Sequence, residues 1–279
     1  MIGAIIGDIV GSRFEFHPIK TKQFDLFQEG SERKTLANYI NYSRFTDDTV
    51  MTLAVCKTLI DCKGNYIDLE AKLIQNMKQF GKSYPYVGYG CRFNKWLLSH
   101  DSKPYNSFGN GSAMRISSIP YFAKSLEDLK ILSFQVSKVT HNHPEGIKGA
   151  EATAVAIWLA KNGATKYEIR KYIESNYYKL NFDYNELVKN YNFNETCQGS
   201  VPQSIFGFLI STSYEDTLRT VVSMGGDSDT MCAIAGAIAE AYYGDIPENI
   251  KQKAKLFLDD EMLSIINEFV KFKNLKENV

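Results

Sequence analysis

Apolar positions recur every three or four residues through most of this chain, and strand-like alternation is scarce. That period places them on single helical faces and predicts helices over 47–62, 66–81, 126–138, 145–161, 166–175, 185–190, 202–211, 214–223, 229–243 and 248–273. The segment 145–161, rich in Ala, Ile and Val around Trp158, reads as a central helix. In the last, Leu256, Leu258, Met262, Ile265, Ile266, Phe269 and Val270 form an amphipathic closing face. Turn chemistry marks loops at 16–45, 84–92, 101–112 and 191–201, with 37–45 able to form one short strand. The predicted class is all-α.

The first residues also read as a helix, with Gly3, Gly7 and Gly11 at i, i+4 and i+8 down one face. Each glycine costs about 1 kcal/mol relative to alanine in a helix interior. Close approach of another helix or of a ligand has to offset that cost.

At 279 residues and 44% hydrophobic, the chain can build one large core or two modest domains. No low-complexity linker or solenoid repeat divides it. The 32 basic and 32 acidic side chains balance, and no dense Lys/Arg run suggests a nucleic-acid or membrane surface. The apolar start is interrupted by Asp8 and lacks a basic flank, so it reads as neither signal peptide nor membrane span. Five cysteines without CxxC spacing argue against zinc and a disulfide framework, and favour a reducing, cytoplasmic location.

The chemistry concentrates in two acidic clusters, Thr46-Asp47-Asp48-Thr49 and Gly225-Gly226-Asp227-Ser228-Asp229-Thr230. Each sets two carboxylates among hydroxyl side chains and runs directly into a small or apolar stretch. Each therefore reads as a helix N-terminus, where the macrodipole and free N–H groups favour negative charge. One such cluster alone is ordinary capping. Its recurrence before two separate apolar helices points further, because crowded carboxylates near a core call for a cation. Hard oxygen donors suit Mg²⁺ or Mn²⁺. An EF-hand reading fails: a loop counted from Asp227 would need an oxygen ligand at Met231, Gly at Cys232 and Glu at Ile238. If the clusters share a site, the two halves of the chain converge, which argues for one compact domain over 1–279.

Other segments are weaker taken singly. Asp8, inside an apolar helix, reads as a satisfied buried acid, and Glu15 beyond that helix as a surface acid. The run Asn106 to Arg115 offers closely spaced backbone N–H groups that can approach a phosphate, but it is neither a P-loop nor GxGxxG. His141 and His143 lack a third soft ligand, so hydrogen bonding to a ligand or packing outweighs metal binding. Tyr84, Tyr86, Tyr89, Phe93 and Phe108 cluster around loops that could stack on a purine.

Taken together and in order, these segments resemble the ADP-ribosylglycohydrolase family. The resemblance runs from Gly3-Ala4-Ile5-Ile6-Gly7-Asp8, Gly11-Ser12 and Glu15, through Phe45-Thr46-Asp47-Asp48-Thr49 and Gly109-Asn110-Gly111-Ser112-Ala113-Met114-Arg115, to Thr140-His141 and the Gly225–Thr230 cluster. It implies an all-α fold with two Mg²⁺ (or Mn²⁺) ions in a central cleft, held by Thr46, Asp47, Asp48, Asp227, Asp229 and Thr230. Gly109, Asn110, Gly111, Ser112 and Met114 would hold the ADP-ribose phosphates through backbone amides, with His141 beside them. Glu15 falls where the family carries a functional glutamate, and Glu15, Asp48 or Asp229 would carry the proton. Phe45 stands where the family often has Trp or Tyr, and the loop 16–44 is individual to this chain.

The activity so implied is metal-dependent hydrolysis of the bond joining ADP-ribose to an acceptor, an ADP-ribosylated protein side chain or small molecule, arginine first. That reaction passes through an oxocarbenium-like transition state. Two alternatives stand beside it: a catalytically silent ADP-ribose-binding or structural relative, and a metal-dependent nucleotide phosphohydrolase.

Overall fold

The structure is a computed structural model describing residues 1–30 and 41–277. Fifteen helices stand among the described residues, with no strand; the one β-contact is an isolated antiparallel bridge between Gly109 and Thr196. The architecture is all-α, as the hydrophobic period predicts. The expected strand at 37–45 falls partly outside the described residues, and 41–45 is turn and irregular backbone.

The first six helices are α1 (Ile2–Gly11), α2 (Asp47–Cys62), α3 (Leu69–Ser83), α4 (Cys91–Leu98), α5 (Gly111–Met114) and α6 (Ile119–Phe122). They are followed by α7 (Leu126–Lys138), α8 (Pro144–Lys161), α9 (Lys166–Asn176), α10 (Tyr184–Asn190) and α11 (Cys197–Ile210). The chain closes with α12 (Tyr214–Met224), α13 (Ser228–Tyr243), α14 (Glu248–Lys255) and α15 (Asp260–Glu277). Helix α13 packs against α1, α12, α11 and α8, and is buried along all but its last turn. That explains why its sequence is small and apolar all round rather than amphipathic.

The glycine stripe of α1 meets α13. A Cβ on Gly3 would lie 2.4 Å from the Gly236 carbonyl oxygen, on Gly7 2.1 Å from that of Cys232, and on Gly11 2.3 Å from that of Ser228. Backbone meets backbone here, so no side chain can yield. The offset that the helix-breaking glycines require is therefore another helix, held at a distance only hydrogen side chains permit.

Among the differences from the predicted elements, three have a clear physical cause. Helix α11 begins at Cys197 rather than at Pro202, because the Thr196 hydroxyl caps it by accepting from Gly199 N at 3.1 Å. Pro202 then sits one turn inside, where its missing N–H loses a helical bond. The closing segment is two helices, since backbone turns at 256–258 separate α14 from α15 and Asp259 caps the latter through Met262 N at 2.9 Å. Helix α4 lies partly in a predicted loop: its two turns bury only Phe93, Trp96 and Leu97, a pattern too short to stand out beside Gly88 and Gly90.

Candidate active site

Both acidic clusters lie at helix N-termini and face each other. Asp47 and Asp48 open α2, with Thr46 as N-cap accepting from Asp48 N at 3.2 Å. Asp227 is the N-cap of α13, and Asp229 lies in its first turn, accepting from Thr230 N at 2.9 Å. The approach to α13 turns through Gly225 (φ +75°) and Gly226 (φ +84°), a left-handed pair open to glycine at little cost. Lys20 clamps that turn, donating to the carbonyls of Met224 at 2.7 Å and Tyr191 at 2.8 Å.

Two contacts join the halves. The Thr230 hydroxyl donates to Asp48 Oδ2 at 3.2 Å, and Asn110 Nδ2 donates to Asp227 Oδ2 at 2.7 Å. Helix α1 supplies the third wall. Asp8, fully buried, accepts from Thr46 N (2.9 Å) and Oγ1 (2.8 Å) and from Thr49 N (3.1 Å) and Oγ1 (2.5 Å). It is a satisfied buried acid, and it caps the N-terminus of α2 from a neighbouring helix. Ser228 Oγ donates to the Gly11 carbonyl at 2.9 Å, tying the end of α1 to the second cluster.

Glu15 is not a surface acid. The turn after α1 (Phe14 N to Gly11 O, 2.8 Å) buries Phe14 against Phe24 and swings Glu15 inward. Ligand oxygens of Glu15, Asp227 and Asp229 all fall within 4.8 Å of one another. Local spacing gives no sign of this, because the orientation depends on where Phe14 packs; only the family resemblance pointed to Glu15.

The electrostatics are those of an uncompensated acidic centre. Burial, then the Asp229 charge, pushes Asp8 up to about 7 and Glu15 up to about 9. Burial, with Asp229 and Asp8, pushes Asp47 up to about 8. Asp48 and Asp227 are driven well above the carboxylate range, by burial first and Asp229 second. Helix termini stabilise a carboxylate by about 0.3–1 kcal/mol. Two charges under 5 Å apart repel by roughly 3–4 kcal/mol at an effective dielectric near 20. Repulsion outweighs the dipoles, so a cation of high charge is needed if these groups are to ionise together. The donor set fits one: the acids are hard oxygens, and Asp48 Oδ1 is buried with no hydrogen-bond partner among the described residues.

A cavity of about 390 Å³ opens over this centre. Of the residues singled out in sequence, Glu15, Asp47, Asp48, Asp227, Asp229, Thr230, Gly109, Asn110, Gly111, Met114 and His141 line it. Thr46 and Ser112 do not. Thr46 is turned to Asp8, and Ser112 Oγ donates to the Gly146 carbonyl at 2.7 Å. The loop's amides are also less available than its glycines suggest. Asn110 N bonds to Glu195 O (2.8 Å), Gly109 N to Ser107 Oγ (3.2 Å), and Ala113 N and Met114 N to Asn110 O. The amides of Gly111 and Ser112 make no such bond among the described residues.

Phe93 and Phe108 face the cavity, whereas Tyr84, Tyr86 and Tyr89 do not line it; Tyr84 packs edge-on to Phe45 and donates to Asp259 at 2.7 Å. Tyr105, Phe193 and Arg92, none of them singled out from the sequence, also line it, as does Arg115 at the end of the glycine-rich run. Their relevance lies in tertiary pairing. Arg115 is fully buried yet polar, an anomaly that only the structure explains. No described helix is long and apolar enough to cross a membrane.

The molecule is thus a helical bundle in which carboxylates from the turn after α1, the start of α2 and the start of α13 converge beneath one cavity. The chain belongs to the ADP-ribosylglycohydrolase family, whose model matches residues 1–277. It is 27% identical to the human ADP-ribosylhydrolase ARH3, over 95% of this chain and 90% of that protein. It is also 27% identical to the ADP-ribosyl-[dinitrogen reductase] glycohydrolase of Rhodospirillum rubrum, over 94% and 90%. A solved structure titled ADP-ribosylglycohydrolase-related protein complex shares the fold, with TM-score 0.70 at 22% identity over 98% of this chain and 97% of that one.

Proposed function

We propose that this chain hydrolyses the glycosidic bond linking ADP-ribose to an acceptor and releases ADP-ribose. The observation that carries the reading is the convergence of both acidic clusters and Glu15 beneath one cavity, in a chain of this family. In this reading residues 1–279 act as one catalytic unit, and two Mg²⁺ (or Mn²⁺) ions are held by Asp47, Asp48, Asp227, Asp229 and Thr230. Thr46, the sixth ligand that the resemblance implies, donates its hydroxyl to Asp8 and does not line the cavity. When bound, such ions supply charge neutralisation and electrophilic polarisation.

The chain's own groups do the rest. Asp8 fixes the first turn of α2, so that Asp47 and Asp48 present their oxygens to the cleft. Asn110 holds Asp227 while its loop borders the space for the diphosphate. Glu15, whose carboxyl is pushed upward by burial and the Asp229 charge in the cation-free centre, can hold a proton for the departing acceptor or take one from the attacking water. Asp48 and Asp229 are the other carboxylates that can carry it. The acceptor is a protein side chain or a small molecule, arginine first among those to test.

The test is a substrate panel of ADP-ribosyl-arginine, ADP-ribosyl-serine and free ADP-ribose, with Mg²⁺ or with chelator. Release of ADP-ribose that the chelator abolishes supports the reading. Release of AMP assigns a phosphohydrolase instead, and binding without turnover a silent relative.

A further inference from the structure

The cleft wall behind the glycine loop holds a buried polar chain that the acidic centre does not use. Arg115 Nη2 donates to Thr140 Oγ1 at 2.7 Å and reaches the Val136 carbonyl at 3.4 Å. Thr140 Oγ1 stands 2.7 Å from His141 Nδ1. All three residues are buried, and the backbone holds them in register: His141 N bonds to Ser137 O at 2.8 Å, while Tyr105 N and Ser107 N both approach Thr140 O.

The direction of these bonds follows from donor counting. A guanidinium only donates, so the Thr140 oxygen spends one lone pair on Arg115. Its single hydrogen then needs an acceptor, and among the described residues the only one in reach is His141 Nδ1. Were Nδ1 to carry the proton, the hydroxyl would accept twice and leave its own hydrogen unbonded in a buried site, at a cost proteins avoid. The ring proton therefore sits on Nε2. A second proton, which would charge the ring, is disfavoured too, since burial and the guanidinium groups of Arg115 and Arg92 lower the His141 pKa well below its usual value.

Nε2 faces the cleft through a gap the loop leaves open. A Cβ at Gly111 would stand 3.3 Å from Nε2, and one at Gly109 3.7 Å. Among the described residues no hydrogen bond reaches that nitrogen. We propose that Arg115 and Thr140 are positioning residues that lock His141 as its neutral Nε2–H tautomer, presenting one N–H donor between Gly109 and Gly111 to an anionic oxygen of the ligand's diphosphate. The tautomer stands on geometry alone; the identity of the ligand rests on the ADP-ribosyl reading above.

The experiment pairs ¹⁵N histidine NMR with ADP-ribose titration in the wild type, Thr140→Val and Thr140→Ser. The chain has four histidines, and a His141→Asn variant assigns the signal. The expected result is an Nε2–H ring in the wild type and in Thr140→Ser, and a mixture of tautomers in Thr140→Val. ADP-ribose affinity should fall roughly tenfold in Thr140→Val and return in Thr140→Ser. An Nδ1–H ring in the wild type, or an unchanged ring in a folded Thr140→Val, overturns the relay. A changed tautomer with unchanged affinity overturns the role in binding. Wild-type protein that binds no ADP-ribose overturns the functional reading, while the NMR result still decides the relay.

Discussion

Thr230 donates its hydroxyl to Asp48 Oδ2 across 3.2 Å, although 182 positions separate the two residues in the chain. That bond closes the gap between two acidic helix starts. The other oxygen, Asp48 Oδ1, is buried with no hydrogen-bond partner among the described residues, and Asp48 lines the same cavity as Asp229 and Glu15. A protein core tolerates this arrangement because ligand binding, rather than folding, gives it purpose.

The crowding predicts how stability depends on pH. Asp8, Asp47 and Glu15 bind protons more tightly folded (about 7, 8 and 9) than at their ordinary values of 3.8, 3.8 and 4.5. Their contribution is complete at the acid end, below the ordinary values, and is lost as pH rises through the folded ones. In chelator, the melting temperature should fall between about pH 5 and pH 9 by several degrees. Saturating Mg²⁺ should flatten that slope, because a cation replaces the protons. Thermal unfolding at pH 5, 7 and 9 checks it; identical slopes with and without Mg²⁺ would count against a cation at this centre.

The glycine stripe predicts a second effect. In Gly7→Ala the new methyl would overlap the Cys232 carbonyl at 2.1 Å, with backbone on both sides. The helices must part, costing about 1–3 kcal/mol or more, despite the roughly 1 kcal/mol gained in helix propensity. Urea unfolding should show the loss, and cation affinity should fall with it, because α1 carries Asp8 and leads into Glu15. A stability equal to wild type would mean α1 and α13 do not approach this closely.

These two cases show what was legible beforehand and what was not. The stripe at Gly3, Gly7 and Gly11 announced a close approach, and the recurring diacids announced helix starts, because both depend on local spacing. The inward turn of Glu15, the capping of α2 by Asp8 and the pairing of Arg115 with Thr140 depend on which distant surfaces meet. Helix α4 escaped notice for a different reason: eight residues burying three side chains carry too little period to outweigh flanking glycines. The helix predicted from 202 starts earlier, at Cys197, because the Thr196 hydroxyl satisfies the orphan amide of Gly199.

Gly111→Ala isolates the open edge of His141. The substitution favours the short helix α5, since Gly111 lies in its first position, yet its methyl would sit 3.3 Å from Nε2. Folding stability should hold or rise slightly, while ADP-ribose binding measured by calorimetry weakens about tenfold. Undiminished binding would show that ligand does not pass between Gly109 and Gly111.

The central claim is that oxygens from both halves of the chain hold the same cations. Manganese titration by calorimetry tests it most directly, in wild type and in Asp48→Asn and Asp229→Asn, one substitution from each half. The account predicts tight binding by the wild type and its loss in either variant, with helical circular dichroism unchanged. Wild-type protein that takes up no manganese, or a single variant that keeps full affinity and stoichiometry, would contradict it.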